Sequence, residues 1–263
     1  MTISVLAKTS PSLEFPSTPL EPPSDVVDVI TKALLEAQAD VREFAGLHSV
    51  REHWKINQFA LRKMKWPPGG DAQDAELKLM HRIADSRTPD GVKTAQWYST
   101  HGMDEAWVAY LADYTKTVGP RQARRATKLL NDTLDMVNQV TQQAKAAAGR
   151  KRPYDTDPTL QVAIDKPGGS PSYPSGHTSA AFAAAIVLGY LMPQRAKEFM
   201  DIATQASFAR IYGGVHYPSD VAAGARIAAT VALYLCGISD VRAATHERAG
   251  RGTARRAHKQ HAA

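Results

Sequence analysis

Apolar residues recur at three- and four-residue spacing over most of this chain, and no stretch alternates them with polar residues at a period of two. The pattern predicts helices. Ser24 is placed as an N-cap for a first helix running to about Gly46, with Val27, Ile30, Leu34 and Leu35 on its apolar face. A second spans Val50 to Lys65 and stops at Pro67-Pro68-Gly69-Gly70. Asp71 or Asp74 opens a third, which ends before Pro89-Asp90-Gly91, and further helices are expected near 92–100 and 104–117. The clearest runs from about 121 to 148, where Leu130, Leu134, Val137, Ala144 and Ala148 form one stripe and Gly149 is placed to end it. A loop carrying Pro153, Pro158, Pro167 and Pro171 covers 149–173, and three last helices follow at 176–192, 195–212 and 219–237. The expected fold is all-α: one helical domain over 24–240, with a loose Ser/Thr/Pro-rich arm at 1–23 and a tail at 241–263.

Charge changes the picture of the tail. Six basic residues and one acid between Arg242 and Ala263 give +5, so of the chain's net +6 only +1 belongs to the other 241 residues. The high pI therefore describes the tail. It reads as a solvated extension, with contact to nucleic acid or an anionic surface as the alternative. The single cysteine, Cys236, rules out an intrachain disulfide and argues against a cysteine-ligated zinc site. The longest apolar run, Ala180 to Met192, has 13 residues, and the run after Val221 is broken by Arg226. Neither reaches the roughly 20 residues of a bilayer span, so no integral membrane segment is expected. The opening MTISVLAKTSPSLEFPS has no basic n-region, and from it a cytoplasmic protein is expected.

The chemistry gathers at one join. In SYPSGHTSAAFAAA, Pro174, Ser175, Gly176 and His177 stand at the entrance of an alanine-rich helix. A helix start presents unpaired N–H groups and the positive end of the macrodipole, and glycine lets an anion approach the backbone, so this is a candidate phosphate site. Two further stretches stand out: Lys145-AAAGRK-Arg152-Pro153, and Arg210-IYGGV-His216-YPS-Asp220. Each has an ordinary reading when taken alone: solvated charges at a helix end, a capping histidine, an acid at a helix N-terminus.

Taken together the three resemble the type 2 phosphatidic acid phosphatase superfamily, whose pattern is K-x6-RP, then PSGH, then SR-x5-H-x3-D. Lys145, Arg152 and Pro153 fit the first part, Pro174 to His177 the second, and Arg210, His216 and Asp220 the third. Ala209 stands where the family usually has serine, which removes a hydroxyl and no charge. SYPSGHTS is similar to the soluble class A bacterial acid phosphatases. The resemblance implies a helical bundle of the acid phosphatase/vanadium haloperoxidase type and a metal-independent phosphomonoesterase acting on a small phosphomonoester. It implies that His216 is the nucleophile, oriented by Asp220 and forming a phosphohistidine, while His177 protonates the leaving group and later activates water. Lys145, Arg152 and Arg210, with Ser175 and the Gly176 N–H, would hold the phosphate without a metal. No cofactor is expected, and vanadate is expected only as an inhibitor unless the chain is a vanadium haloperoxidase, the alternative that shares this pocket. A catalytically idle phosphoanion-binding protein is the other alternative. Family analogy favours the periplasm or secretion, against the reading of the N-terminus, and leaves a homo-oligomer open.

Overall fold

The computed structural model describes residues 13–237, and among them there is no strand. The helices are α1 (Ser24–Leu47), α2 (Ile56–Lys63), α3 (Asp71–Asp85), α4 (Pro89–His101), α5 (Glu105–Thr117), α6 (Pro120–Ala148), α7 (Pro153–Thr156), α8 (Gly176–Leu191) and α9 (Ala196–Tyr212). A last helix, α10, spans Pro218–Gly237. The all-α expectation holds, and most boundaries fall within a few residues of those read from the pattern.

Local chemistry sets several ends. Thr88 caps α4 by accepting the Gly91 N–H, with Pro89 at the first helical position. Pro120 likewise opens α6, and Gly149 closes it in the left-handed conformation (φ 56°), where its N–H reaches the Lys145 carbonyl. That turn sends the chain from Lys145 back towards Arg152.

At the centre lies α8. Its residues Ala181 to Ala185, Val187 and Leu188 are all fully buried, as expected of a helix apolar on every side. It packs mainly on α9 and α6, while α4 packs on α9. Against its first turn lies α10. A Cβ at Gly224 would stand 2.6 Å from the Ser175 carbonyl oxygen, so the missing side chain is what allows this close approach. By length and composition α10 is apolar enough to cross a membrane, but 72% of its apolar window is buried inside the fold. Its Arg226 is held by Asp40 and Glu36 of α1.

Four details differ from the sequence reading. The buried face of α1 is Val26, Ile30, Ala33, Ala37 and Phe44, whereas Val27 and Leu35 are 39% and 58% exposed. Small alanines carry that face, and a stripe weighted by large side chains points about one position away. The expected 50–65 helix is a 3₁₀ segment, Val50–Lys55, followed by the shorter α2. The 149–173 loop contains α7. Of the arm expected to be loose, residues 13–23 lack regular structure yet are tied down: Phe15 lies against the Trp97 and Tyr110 rings, and Leu20 exchanges backbone hydrogen bonds with the Gln205 side chain. Residues 1–12 and the basic tail lie outside the described residues.

Candidate active site

The fold gathers the three motifs. Ser172 N–H donates to the Arg150 carbonyl at 2.8 Å and Ser175 N–H to the Asp220 carbonyl at 2.9 Å, which ties the turn after α6 and the start of α10 to the segment leading into α8. The amides of Val215 and His216 both reach back to the Arg210 carbonyl. The turn after α9 therefore folds over its own last residues and brings His216 next to Arg152.

His216 is buried, and its two ring nitrogens have different partners. Nδ1 lies 3.2 Å from Asp220 Oδ2, and Nε2 lies 3.1 Å from Arg152 Nη1. A guanidinium only donates, so Nε2 is the acceptor and the proton sits on Nδ1, facing the carboxylate. This is the tautomer that leaves a lone pair on Nε2. Asp220 is fully buried and well supplied with donors: Oδ2 also accepts from Ser172 Oγ (2.5 Å) and the Tyr217 N–H (3.0 Å), and Oδ1 accepts from Arg150 Nη1 (2.7 Å). Burial raises its pKa, but His216, Arg150 and Ser172 outweigh that and keep it ionised below the usual carboxylate range. Burial lowers the pKa of His216 despite Asp220, so the ring is neutral at neutral pH.

Arg152 stands against that lone pair, Lys145 and Arg210 lie close to Arg152, and the spare donors of the three mark a candidate anion site. Lys145 Nζ donates to the carbonyls of Pro171 (2.5 Å) and Ser172 (3.5 Å), which leaves one N–H. Arg152 is held by the carbonyl and hydroxyl of Ser170, the Val215 carbonyl and His216. Arg210 is almost wholly buried; its Nη1 donates to Ser99 Oγ at 2.5 Å, and its Nε has no partner. Burial lowers all three, Lys145 to about 8 and Arg210 to about 10, and Arg152 lowers the other two further. Buried positive charges crowded together with unspent donors make a site for an oxyanion.

His177 is half-buried at the first turn of α8, with Nε2 3.2 Å from the Ser99 carbonyl, so Nε2 carries the proton and Nδ1 the lone pair. Burial and then Arg210 lower its pKa to about 3. Ser175 is the N-cap of α8: its Oγ accepts from the Thr178 N–H and hydroxyl, which leaves the Ser175 hydroxyl hydrogen to donate. A Cβ at Gly176 would come within 3.9 Å of Lys145 Cε, so the helix start faces that cation. Ala209 is fully buried. All eight residues singled out from the sequence thus lie at one place.

Residues 133–242 match the PAP2 superfamily. Over 173 residues the chain is 30% identical to an acid phosphatase of Zymomonas mobilis, a match that covers 65% of this chain and 56% of the relative. The chain spans about half the length of the curated relatives it matches. In fold it is similar to a bacterial vanadium-dependent iodoperoxidase (TM-score 0.58, 17% identity, 67% of this chain and 53% of that one). It is also similar to a transmembrane PAP2-type phosphatidylglycerolphosphate phosphatase of Bacillus subtilis (TM-score 0.52, 16% identity, 73% of this chain and 96% of that one).

Several residues at the site escaped the motif reading. Arg150, Ser170 and Ser172 lie inside the PAP2 segment; Gln73, Glu76 and Ser99 lie before it, on α3 and α4. Ser99 uses its carbonyl for His177 and its hydroxyl for Arg210, and so links the two. Arg150 was in plain view between Lys145 and Arg152, but spacing alone does not say which of Arg150, Lys151 and Arg152 turns inward. Arg150 and Arg152 are buried and Lys151 is exposed. Nothing in the sequence around Glu76 or Ser99 marks them out.

Proposed function

We propose that this protein is a metal-independent phosphomonoesterase that works through a phosphohistidine at His216. The observation that carries the reading is the neutral His216 ring, with Nδ1–H on buried Asp220 and the Nε2 lone pair against Arg152, itself close to Lys145 and Arg210. The names of its relatives point the same way, since the Zymomonas protein is an acid phosphatase. In this reading His177 Nδ1 takes up a proton as the phosphate dianion binds, Nε2 of His216 attacks phosphorus in line as the ester P–O bond breaks, and the leaving oxygen takes that proton from His177. Lys145, Arg152 and Arg210 neutralise the nonbridging oxygens, the part a metal plays in other phosphoryl-transfer sites, and the start of α8 adds the Ser175 hydroxyl and the Gly176 N–H. Water, its proton taken by His177, then attacks phosphorus from the other side. The N–P bond breaks, His177 gives up its proton to solvent as phosphate leaves, and both histidines return to their starting state.

The same donors suit any tetrahedral or trigonal-bipyramidal oxyanion, so vanadate is expected to compete with substrate. The test is acid-quench trapping with labelled phosphomonoester, together with turnover measured with and without EDTA and with and without vanadate. Label on wild type that is lost in His216→Ala, turnover that survives EDTA, and inhibition by vanadate are expected. Label that persists in His216→Ala would refute the assignment. Halide oxidation dependent on added vanadate, with no ester hydrolysis, would favour the haloperoxidase reading instead.

A further inference from the structure

We infer that Glu76, on α3, is a positioning residue for His216: it shares Arg150 with Asp220, so that the buried cluster keeps a net negative charge facing the imidazole. The inference rests on His216 being the nucleophile. All five N–H donors of Arg150 are spent inside the protein. Nη1 donates to Asp220 Oδ1 (2.7 Å) and Ser219 Oγ (2.8 Å), Nη2 to Glu76 Oε2 (2.9 Å) and Gln73 Oε1 (3.3 Å), and Nε to the same Gln73 oxygen (3.3 Å). Its guanidinium also lies 3.7 Å from the centre of the Tyr217 ring. Unlike Arg152 and Arg210, it has nothing left with which to grip a substrate.

Its role is therefore electrostatic and internal. Arg150 and Asp220 alone would sum to zero, and a neutralised Asp220 would do little for a ring that becomes cationic when Nε2 bonds to phosphorus. Burial raises the pKa of Glu76, the Arg150 and Ser219 donors oppose that, and an ionised Glu76 makes the sum −1. Glu76 is itself fixed, with Oε1 accepting the Ser219 N–H at 2.6 Å and Oε2 the Ser219 hydroxyl at 2.8 Å, one residue before Asp220. The side chains of Arg150, Glu76 and Asp220 are 5%, 14% and 0% exposed, so solvent screens little of this.

The test is Glu76→Gln in the full chain, read by rapid-quench phosphoenzyme formation and by affinity for inorganic phosphate. Phosphorylation is expected to slow by about ten- to a hundred-fold, on the scale known for outer-shell partners of metal-bound histidines. Phosphate affinity should change by less than about three-fold. The double variant Glu76→Gln/Arg150→Gln restores the −1 sum and should be faster than Glu76→Gln alone. A double variant no faster than the single, or Glu76→Gln at the wild-type rate, would overturn the inference. Should Glu76→Gln fail to fold, Glu76→Asp keeps the charge and should stay within about ten-fold of wild type; a greater loss overturns the inference. If wild type takes no label at His216, the phosphohistidine reading fails and this inference with it. If wild type is labelled and Glu76→Gln is labelled as fast, the inference alone fails.

Discussion

Asp220→Asn is the change in which structure gives the most detailed expectation. Asparagine has nearly the same shape, but one carboxylate oxygen becomes an NH₂ group, and both possible orientations meet donors. With the amide oxygen at the Oδ2 position it still accepts from Ser172, Tyr217 and His216, while the NH₂ faces Arg150 Nη1 across 2.7 Å. The reverse orientation keeps one bond and spoils three. The first is therefore preferred, and His216 keeps its tautomer but loses a negative charge. At about 4 Å and an effective dielectric constant of about 20, that charge stabilises an imidazolium by about 4 kcal/mol. The phosphorylation rate should fall by about 10³, at about 1.4 kcal/mol per decade. Breaking a buried ion pair costs about 3–5 kcal/mol. Glu76 still holds Arg150, so the low end applies, or a fall in Tm on the order of 6–12 °C. Inorganic phosphate should bind nearly as before, because Asp220 does not face the anion. Single-turnover trapping, differential scanning calorimetry and phosphate titration measure the three quantities. A rate within ten-fold of wild type, or phosphate affinity falling in step with the rate, would refute the reasoning.

Three further outcomes follow from the same geometry. Arg152→Lys should lose at least about ten-fold in kcat/KM, because one ammonium cannot serve Ser170, Val215, His216 and a phosphate together; near-normal kinetics would remove Arg152 from the anion site. His177→Ala should be slow on alkyl phosphates and lose much less on p-nitrophenyl phosphate, whose leaving group needs little protonation; equal losses on both would argue against a general acid at this position. Both histidines have native pKa values below the ordinary 6.5, so between the two values the unfolded chain binds more protons and stability falls as pH drops below about 6.5. Thermal melts from pH 7.5 to 5 should show that fall, made smaller by inorganic phosphate, and a flat or opposite trend would contradict the neutral rings.

The fold and the membership of the three motifs were legible because both depend on signals that are local in sequence. Helical spacing, Pro120, Gly149 and the Ser175 cap act within a turn or two, and the three motifs each hold their own residues. What the pattern missed depends on packing. The inner face of α1 is carried by Ala33 and Ala37, whose small side chains give little hydrophobic signal yet let helices approach. Glu76 reads as a surface acid in a polar stretch; only the docking of α3 against the turn after α9 and the start of α10 brings it to Arg150. Ser99 has no sequence signature at all. Its value comes from standing between two groups that meet only in three dimensions.

The same burial that makes the pocket costly without a ligand gives a way to arm the general acid. In the free site His177 is neutral, because burial and Arg210 oppose its protonation, and a neutral imidazole that already donates Nε2–H to Ser99 has no proton ready for a leaving oxygen. A phosphate dianion acts against this: it offsets the crowded charges of Lys145, Arg152 and Arg210, and it favours a charged imidazolium nearby. On the proposed mechanism, His177 gains its proton when substrate binds. The cationic ring is then present only when there is a phosphate to receive it, and the low pKa of the free site becomes part of how the reaction is gated.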